Sequence, residues 1–457
     1  MANTKSRWIE TWNPDDDRFW QSTGKKIAWR NLVWSILAEN VGFSVWLVWS
    51  VVATKLKSVG FDYTTEQLFN LVAIPGLVGA LMRFPYTFAV PKFGGRNWTI
   101  VSALLLLVPT LLLAYLVQHP ETPWGVMALA AATAGFGGGN FSSSMANISF
   151  FFPDKEKGYA LGLNAAGGNI GVSTVQLLVP IVIGYAVLPG APAKGPHLEN
   201  AALMWLPLIA LATFGAVFFM NNLSTAKSNF ADQLIVARRE HTWVMSFLYI
   251  GTFGSFVGFS AAFPLLLKTQ FPEVTTNLAF LGALVGSLAR PIGGKLADRI
   301  GGAKVTFWNF AAMALLSLAL LYALSAKDFG LFLTLFLGLF ITTGIGNGST
   351  FRMLPVIWRT YHLRRVHPEN EAAKEEALAN ARRETAAVIG VVAAIGALGG
   401  YFIPRSVGAS IKATGSAGTA LGWFVAFYVA CFATTWWCYL RRSFLVARLP
   451  SLASADA

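Results

Sequence analysis

Apolar runs of about 20 residues recur along this chain, and each is long enough to cross about 30 Å of hydrocarbon as a helix. No other feature constrains the fold as strongly. A segment lying in lipid must satisfy its backbone N–H and C=O groups internally, so a spanning chain is helical or a closed barrel. Barrel strands read as segments of about 10 alternating residues, and these runs are continuous blocks instead. The expected fold class is therefore an all-α polytopic membrane protein. Charge agrees: only 12% of residues are charged, against about 25% in soluble domains.

Charged or Pro/Gly-rich breaks separate twelve runs, over 31–54, 66–90, 97–117, 124–150, 158–187, 201–220, 242–267, 275–298, 303–325, 329–357, 384–408 and 418–440. They divide the chain into an N-terminal segment 1–30, a six-helix bundle 31–220, a linker 221–241, a second six-helix bundle 242–441 and a tail 442–457. The second bundle carries a loop over 358–383 whose Ala/Glu/Lys/Arg run reads as a solvated helix. The polar, aromatic start "RWIETWNPDDDRFWQ" does not read as a secretory signal, so the first span is expected to target the chain.

Lys and Arg set the orientation. The even-numbered loops and the termini, with the adjoining span ends, hold 25 of them, the odd-numbered loops with theirs 7, and three lie deeper within spans: Arg83, Arg290 and Arg352. The positive-inside rule then places both termini in the cytoplasm. It also accounts for the net charge of +13 without nucleic acid as a partner. Cys431 and Cys438 are seven apart in the last span, which separates them by about 10 Å on a helix, too far for a disulfide. They are expected to be packing residues.

The chain contains an internal repeat. "GALMRFPYTFAVPKFGGRNWT" from Gly79 aligns with "GSLARPIGGKLADRIGGAKVT" from Gly286 under a shift of 207, bringing Arg83 onto Arg290 and Gly94–Gly95 onto Gly301–Gly302. "GFGGGN" from Gly135 and "GIGNGS" from Gly344 match at three glycines under a shift of 209. Spans two and eight correspond, as do four and ten, which describes a transporter of two pseudo-symmetric six-helix halves with its site near the bilayer midplane. A buried charge costs about 2.5–3.5 kcal/mol on insertion scales. Two of them hold equivalent places, and facing the pseudo-twofold axis they would converge on one cavity; Glu39 is the one acid read away from a span end. Arg352, near the end of span ten, is expected to snorkel to the interface.

"GGKLADRIGGAK" (Gly293 to Lys304) resembles the G-x-x-x-D-R-x-G-x-x-K/R loop signature of the major facilitator superfamily. Its first-half copy is degraded, with Pro91 and Lys92 in place of Asp298 and Arg299. "AGFGGGNFSSSMANISFFFPDKEKGYALGLNAAGGNIG" (Ala134 to Gly171) is similar to the signature of the nitrate/nitrite porter (NarK-type) family, with "AAIGALGGYFIP" (Ala393 to Pro404) as its second-half element. "YIGTFGSFVGFSAAF" and "TGIGNGSTF" extend the resemblance over nearly the full chain. It implies the major facilitator fold and transport of nitrate and nitrite. By resemblance, Arg83 and Arg290 clamp the anion, Tyr249 hydrogen-bonds it, Phe141 and Phe253 line the site, and Asn169 belongs to it. Lys295, Asp298 and Arg299 are expected to form a charge network that gates the cytoplasmic side.

The chemistry fits that resemblance. Guanidinium is planar, always charged, and presents a donor fork that suits small oxyanions. Gly167, Gly168, Gly171, Gly396, Gly399 and Gly400 let helices approach closely and are read as sliding surfaces. Gly138 is balanced between that role and anion contact. Two like charges in a low-dielectric cavity make an empty site costly to close, which favours exchange of nitrate for nitrite. The alternative is proton symport through Glu39, whose pKa burial would raise. Carriage of another oxyanion such as an organophosphate, and anion sensing, are further readings. No metal-ligand spacing, nucleophile–base set or cofactor loop is present, so an enzyme is not expected, and a functional monomer in the inner membrane is.

Overall fold

The computed structural model describes residues 7–187, 195–226, 235–367 and 369–442. Parts of the expected linker (227–234) and tail (443–457) lie outside the described residues. Among the described residues twelve long helices follow one another. They are α1 (Asp17–Val52), α2 (Thr65–Phe93), α3 (Gly95–Leu116), α4 (Trp124–Phe151), α5 (Asp154–Val182) and α6 (Asn200–Phe219). The second six are α7 (Glu240–Gln270), α8 (Phe280–Ile300), α9 (Gly302–Ser325), α10 (Phe329–Leu363), α11 (Glu371–Thr414) and α12 (Gly418–Leu440). Ten are long and apolar enough to cross a membrane. The other two, α4 and α8, are diluted by the Gly/Asn/Ser run 137–144 and by Arg290, Lys295, Asp298 and Arg299. The residues that weaken the membrane pattern are those singled out for chemistry.

Helix limits differ from the sequence expectation where polar helix formers continue a span. Asp16 caps the start of α1 by accepting from the Arg18 and Phe19 amides, so 17–30 are helical. Asn370 accepts from the Ala373 amide and starts α11 thirteen residues before the expected span. The 358–383 loop is thereby reduced to the connection 364–370. A capping box between Thr64 and Gln67 opens α2. Trp8–Ile9 (β1) pairs in parallel with Asn222–Leu223 (β2), pinning the N-terminal strand beside the end of α6.

The sequence repeat is also a structural one. Gly94 (φ 86°, ψ 145°) and Gly301 (φ 93°, ψ 133°) make the same left-handed turn after α2 and after α8. A Cβ on Gly135 would strike the Gly79 backbone, and one on Gly344 would strike Gly286. The α2/α4 crossing is therefore repeated as α8/α10, with small residues permitting backbone contact.

The helices form two compact units. One holds α1–α6 with Val257–Leu284 and Gly400–Ala417, and the other holds α7 to Phe256, then Val285–Gly399 and α12. Within the first unit, Gln176 donates to the Ser260 carbonyl (2.7 Å) and Ser173 to the Phe280 carbonyl (3.1 Å). Gly76 lies against Gly400, and Lys412 pairs with Glu66 at 2.7 Å. These contacts draw parts of α7, α8 and α11 into the unit of the first six helices, so the unit boundary does not follow the repeat boundary.

Only glycine adopts the backbone of Gly94 and Gly301 without strain. Gly94→Ala and Gly301→Ala are each expected to cost roughly 1–3 kcal/mol, read as a lowered melting temperature of the purified protein; at Gly94, Asn222 also crowds the added carbon.

Candidate functional site

In the first unit the site is built on α1, α2 and α4. Trp46 donates its indole N–H to the Pro75 carbonyl at 2.7 Å, and its ring fills the notch left by Gly79 and Gly138. Arg83 is fully buried beneath it. Its Nε donates to the Gly138 carbonyl at 3.1 Å, and its guanidinium carbon lies 4.6 Å from the Phe141 ring centre and 5.5 Å from that of Trp46. Aromatic faces attract a cation and, once desolvated, contribute on the order of 2 kcal/mol. The sequence leaves Gly138 balanced between two roles. Here it supplies the carbonyl that holds Arg83 and the space that admits Trp46.

Glu39 of α1 is buried nearby in sequence terms, one to two turns before Trp46. It accepts a hydrogen bond from the Ser144 hydroxyl and one from Asn164 Nδ2 (2.7 Å), and Nδ2 also reaches Ser144 Oγ at 2.9 Å. Ser144 is in addition 3.2 Å from the Phe141 carbonyl, one turn back on α4. Gly168 of α5 faces the carboxylate, Gly167 faces Ile36, and Gly171 faces the Asn40 carbonyl, so α5 meets α1 along a glycine stripe.

The second unit repeats the theme with different partners. Arg290 of α8 is buried, with its guanidinium carbon 5.6 Å from the Phe351 ring centre of α10. Tyr249 lies 6.2 Å from Phe351 and stacks on Phe253 at 5.3 Å and 16°. A π-helical turn at Ile250–Gly254 follows Tyr249 and contains Phe253. Gly396 leaves room for the Tyr249 ring, and Gly399 packs on Gly254. Gly400 belongs to the first unit, against Gly76 and Val257.

Two expectations change. Asp298 does not pair with its neighbours Lys295 and Arg299, which make no ion pair among the described residues; it accepts from Nε of Arg352. Arg352 is therefore also an ion-pair partner, with both side chains half-exposed. The reason lies one turn away, where Gly348 of α10 packs against the Gly294 backbone of α8. Four residues further along each helix, Arg352 and Asp298 come together.

Other side chains were not singled out from the sequence. Phe351 takes the place in α10 that Phe141 has in α4. The shift of 209 points to Thr350, one residue short, so the repeat held the signal. Trp46 carries no signal beyond being aromatic. Asn140, Asn169 and Asn347 are buried, and none of their amide atoms makes a hydrogen bond among the described residues. Only Asn169 was expected at the site, although Asn140 and Asn347 stand in the two glycine-rich repeat motifs. A buried amide without a protein partner is uncommon and fits a site for a polar solute.

Glu384 is a second buried acid. It accepts from Arg239 Nε (3.1 Å) and Nη2 (2.7 Å) and from the Trp358 indole (3.1 Å), with His362 Nε2 at 3.3 Å. Arg239 also donates to the Tyr361 hydroxyl at 2.8 Å. The cluster ties α10 and α11 to the start of α7. It is a fully engaged structural group.

Comparisons with known proteins follow the same lines. A family model described as the Major Facilitator Superfamily matches residues 40–374. The chain is 46% identical over 446 residues to the nitrate/nitrite transporter NarU of Salmonella typhimurium, covering 95% of this chain and 96% of that one. It is 36% identical over 465 residues to the probable nitrate/nitrite antiporter NarK2 of Thermus thermophilus, covering 97% and 98%. Among solved structures it resembles the nucleoside transporter NupG (TM-score 0.62, 12% identity, 90% of this chain and 98% of that one). It also resembles a bacterial homolog of the human lysosomal transporter Spinster (TM-score 0.60, 14% identity, 89% and 95%). At those identities the likeness is one of fold.

Removing the Glu384 carboxylate strands Arg239, Trp358 and His362. Glu384→Ala is expected to destabilise the protein by roughly 1–3 kcal/mol, with Glu384→Gln intermediate, when thermal melts of the three proteins are compared in one detergent.

Proposed function

The chain belongs to the nitrate/nitrite porter (NarK-type) family of the Major Facilitator Superfamily, and from that premise we propose that it carries nitrate and nitrite across the cell (inner) membrane by exchange. One observation carries the reading. Each repeat buries an arginine at the same place, and each arginine lies on an aromatic ring of the equivalent neighbouring helix, Phe141 for Arg83 and Phe351 for Arg290.

A guanidinium on a ring face keeps its charge and carries directed, in-plane N–H donors. For a flat, singly charged oxyanion these provide directed, charge-assisted donors, which a lysine ammonium provides with less geometric selection. Tyr249 adds a neutral hydroxyl, Phe253 and Phe141 add flat apolar surface, and Asn169, Asn140 and Asn347 supply amide donors. Burying cations away from water is costly, so reorientation without an anion is disfavoured, whereas the anion-loaded protein reorients readily. Exchange follows, in an alternating-access cycle. Both termini face the cytoplasm on the positive-inside reading, and the working unit is a monomer. Gly167, Gly168, Gly171, Gly396, Gly399 and Gly400 provide smooth helix faces for the movement. Asp298–Arg352 braces α8 to α10, and Lys295 and Arg299 are the cations for cytoplasmic gating.

The test is uptake by proteoliposomes. Internal nitrite should accelerate nitrate uptake, and Arg83→Lys and Arg290→Lys should each reduce it about tenfold or more, since a charged bidentate contact contributes roughly 1.5–3 kcal/mol. Normal uptake by either variant removes the arginine assignment. Strong competition by phosphate or an organophosphate moves the substrate class.

A second reading, nitrate (or nitrite)/proton symport, rests on the buried Glu39 with its Ser144 and Asn164 donors. Under that reading an inward proton gradient drives uptake without internal nitrite, vesicle pH changes with transport, and Glu39→Gln abolishes both effects. An exchanger with unaltered counterflow in Glu39→Gln rejects it.

A further inference from the structure

The transport chemistry leaves the outer face of α3 and α6 unused. Leu104, Leu107, Leu206, Ile209, Phe214 and Val217 line a cleft of about 360 Å³ between these two helices. Leu104 and Phe214 are well exposed, so the cleft opens on the outside of the helix bundle. From Leu206 to Val217 it runs along α6 for about 16 Å at a helical rise of 1.5 Å per residue. Its walls are hydrocarbon, with Thr213 the one side chain bearing a polar atom.

One end of the cleft is cationic. Arg96 donates from Nε (3.2 Å) and Nη2 (2.9 Å) to the carbonyl of Val217, itself a cleft residue. Arg30 donates to Asn221 Oδ1 at 2.8 Å, and the neighbouring Asn222 amide donates to the Arg7 carbonyl at 2.8 Å. Arg7 is close enough to repel both Arg30 and Arg96. No carboxylate forms an ion pair with any of these three arginines among the described residues. The β1/β2 pairing and the Asn221–Asn222 hydrogen bonds gather three like charges that gain nothing from one another. A phosphate would neutralise them, and guanidinium N–H groups suit its oxygens.

We propose that the cleft and the arginine cluster form one binding site for an anionic phospholipid, with an acyl chain along α3 and α6 and the phosphodiester on Arg7, Arg30 and Arg96. The orientation fits, because the arginines lie on the side read as cytoplasmic, where membranes present anionic headgroups to basic segments. The bound lipid bridges the N-terminal strand, α1, α3 and the end of α6. It does not depend on which anion the protein carries.

The probe is phosphatidylglycerol competing with phosphatidylcholine for the purified full-length protein, read by native mass spectrometry. One phosphatidylglycerol should be retained with a preference of about tenfold or more. The double substitution Arg7→Gln, Arg96→Gln should remove the preference, and its melting temperature in phosphatidylcholine reports whether the fold survives. Ala210→Trp, at an exposed position on the cleft wall, should lower retention through the acyl chain while leaving all three arginines in place. Soluble glycerol phosphate should not displace the lipid. Equal retention of the two lipids by the wild type, a preference that survives the double substitution, unchanged retention in Ala210→Trp, or displacement by glycerol phosphate would each overturn the proposal.

Discussion

Everything at the site depends on how closely α2 approaches α4, and α8 approaches α10. At Gly135 and Gly344 a single added carbon would overlap the neighbouring backbone. Because nothing projects there, the Gly138 carbonyl reaches Arg83, Trp46 settles into the notch beside it, and Gly348 brings Arg352 alongside Asp298. In lipid no hydrophobic force drives helices together, so packing and polar contacts of this kind must do so. The same glycines that weaken the apolar signal of α4 make its packing possible.

The buried arginines are affordable for a related reason. Each lies on an aromatic ring, and Arg83 also donates to a backbone carbonyl, so protein contacts take over part of the solvation that water would give. Glu384 shows the contrasting solution, with a guanidinium, an indole and an imidazole converging on one carboxylate. One arrangement sets a guanidinium on ring faces, and the other uses it to hold helices together through a carboxylate. Lipid contact adds a third use of arginine, at the edge of the bundle, where Arg7, Arg30 and Arg96 gather around Asn221 and Asn222.

Much of this was legible in the sequence. Arg83 and Arg290 stood out because charge is rare in apolar runs and the repeat aligned them. Gly94 and Gly301 were paired by the same shift and share one backbone conformation. Phe351 escaped because the repeat is out of register by one residue at that point. Trp46 escaped because one tryptophan among 16 is unremarked in a chain so aromatic. The Asp298–Arg352 pair was hidden because the loop motif suggests partners within itself, whereas the nearest opposite charge comes from a helix fifty residues on.

The sequence by itself determined the helices, the repeat and the two buried cations, since hydropathy, helix propensity and repeat spacing are written along the chain. Tertiary structure alone decided the partners: the ring beneath each arginine, the hydroxyl and amide on Glu39, and the tie of α2 and α5 to parts of α7, α8 and α11. Such contacts arise between residues distant in sequence. They depend on rotation and crossing of whole helices, where a shift of one residue turns a side chain by about 100°.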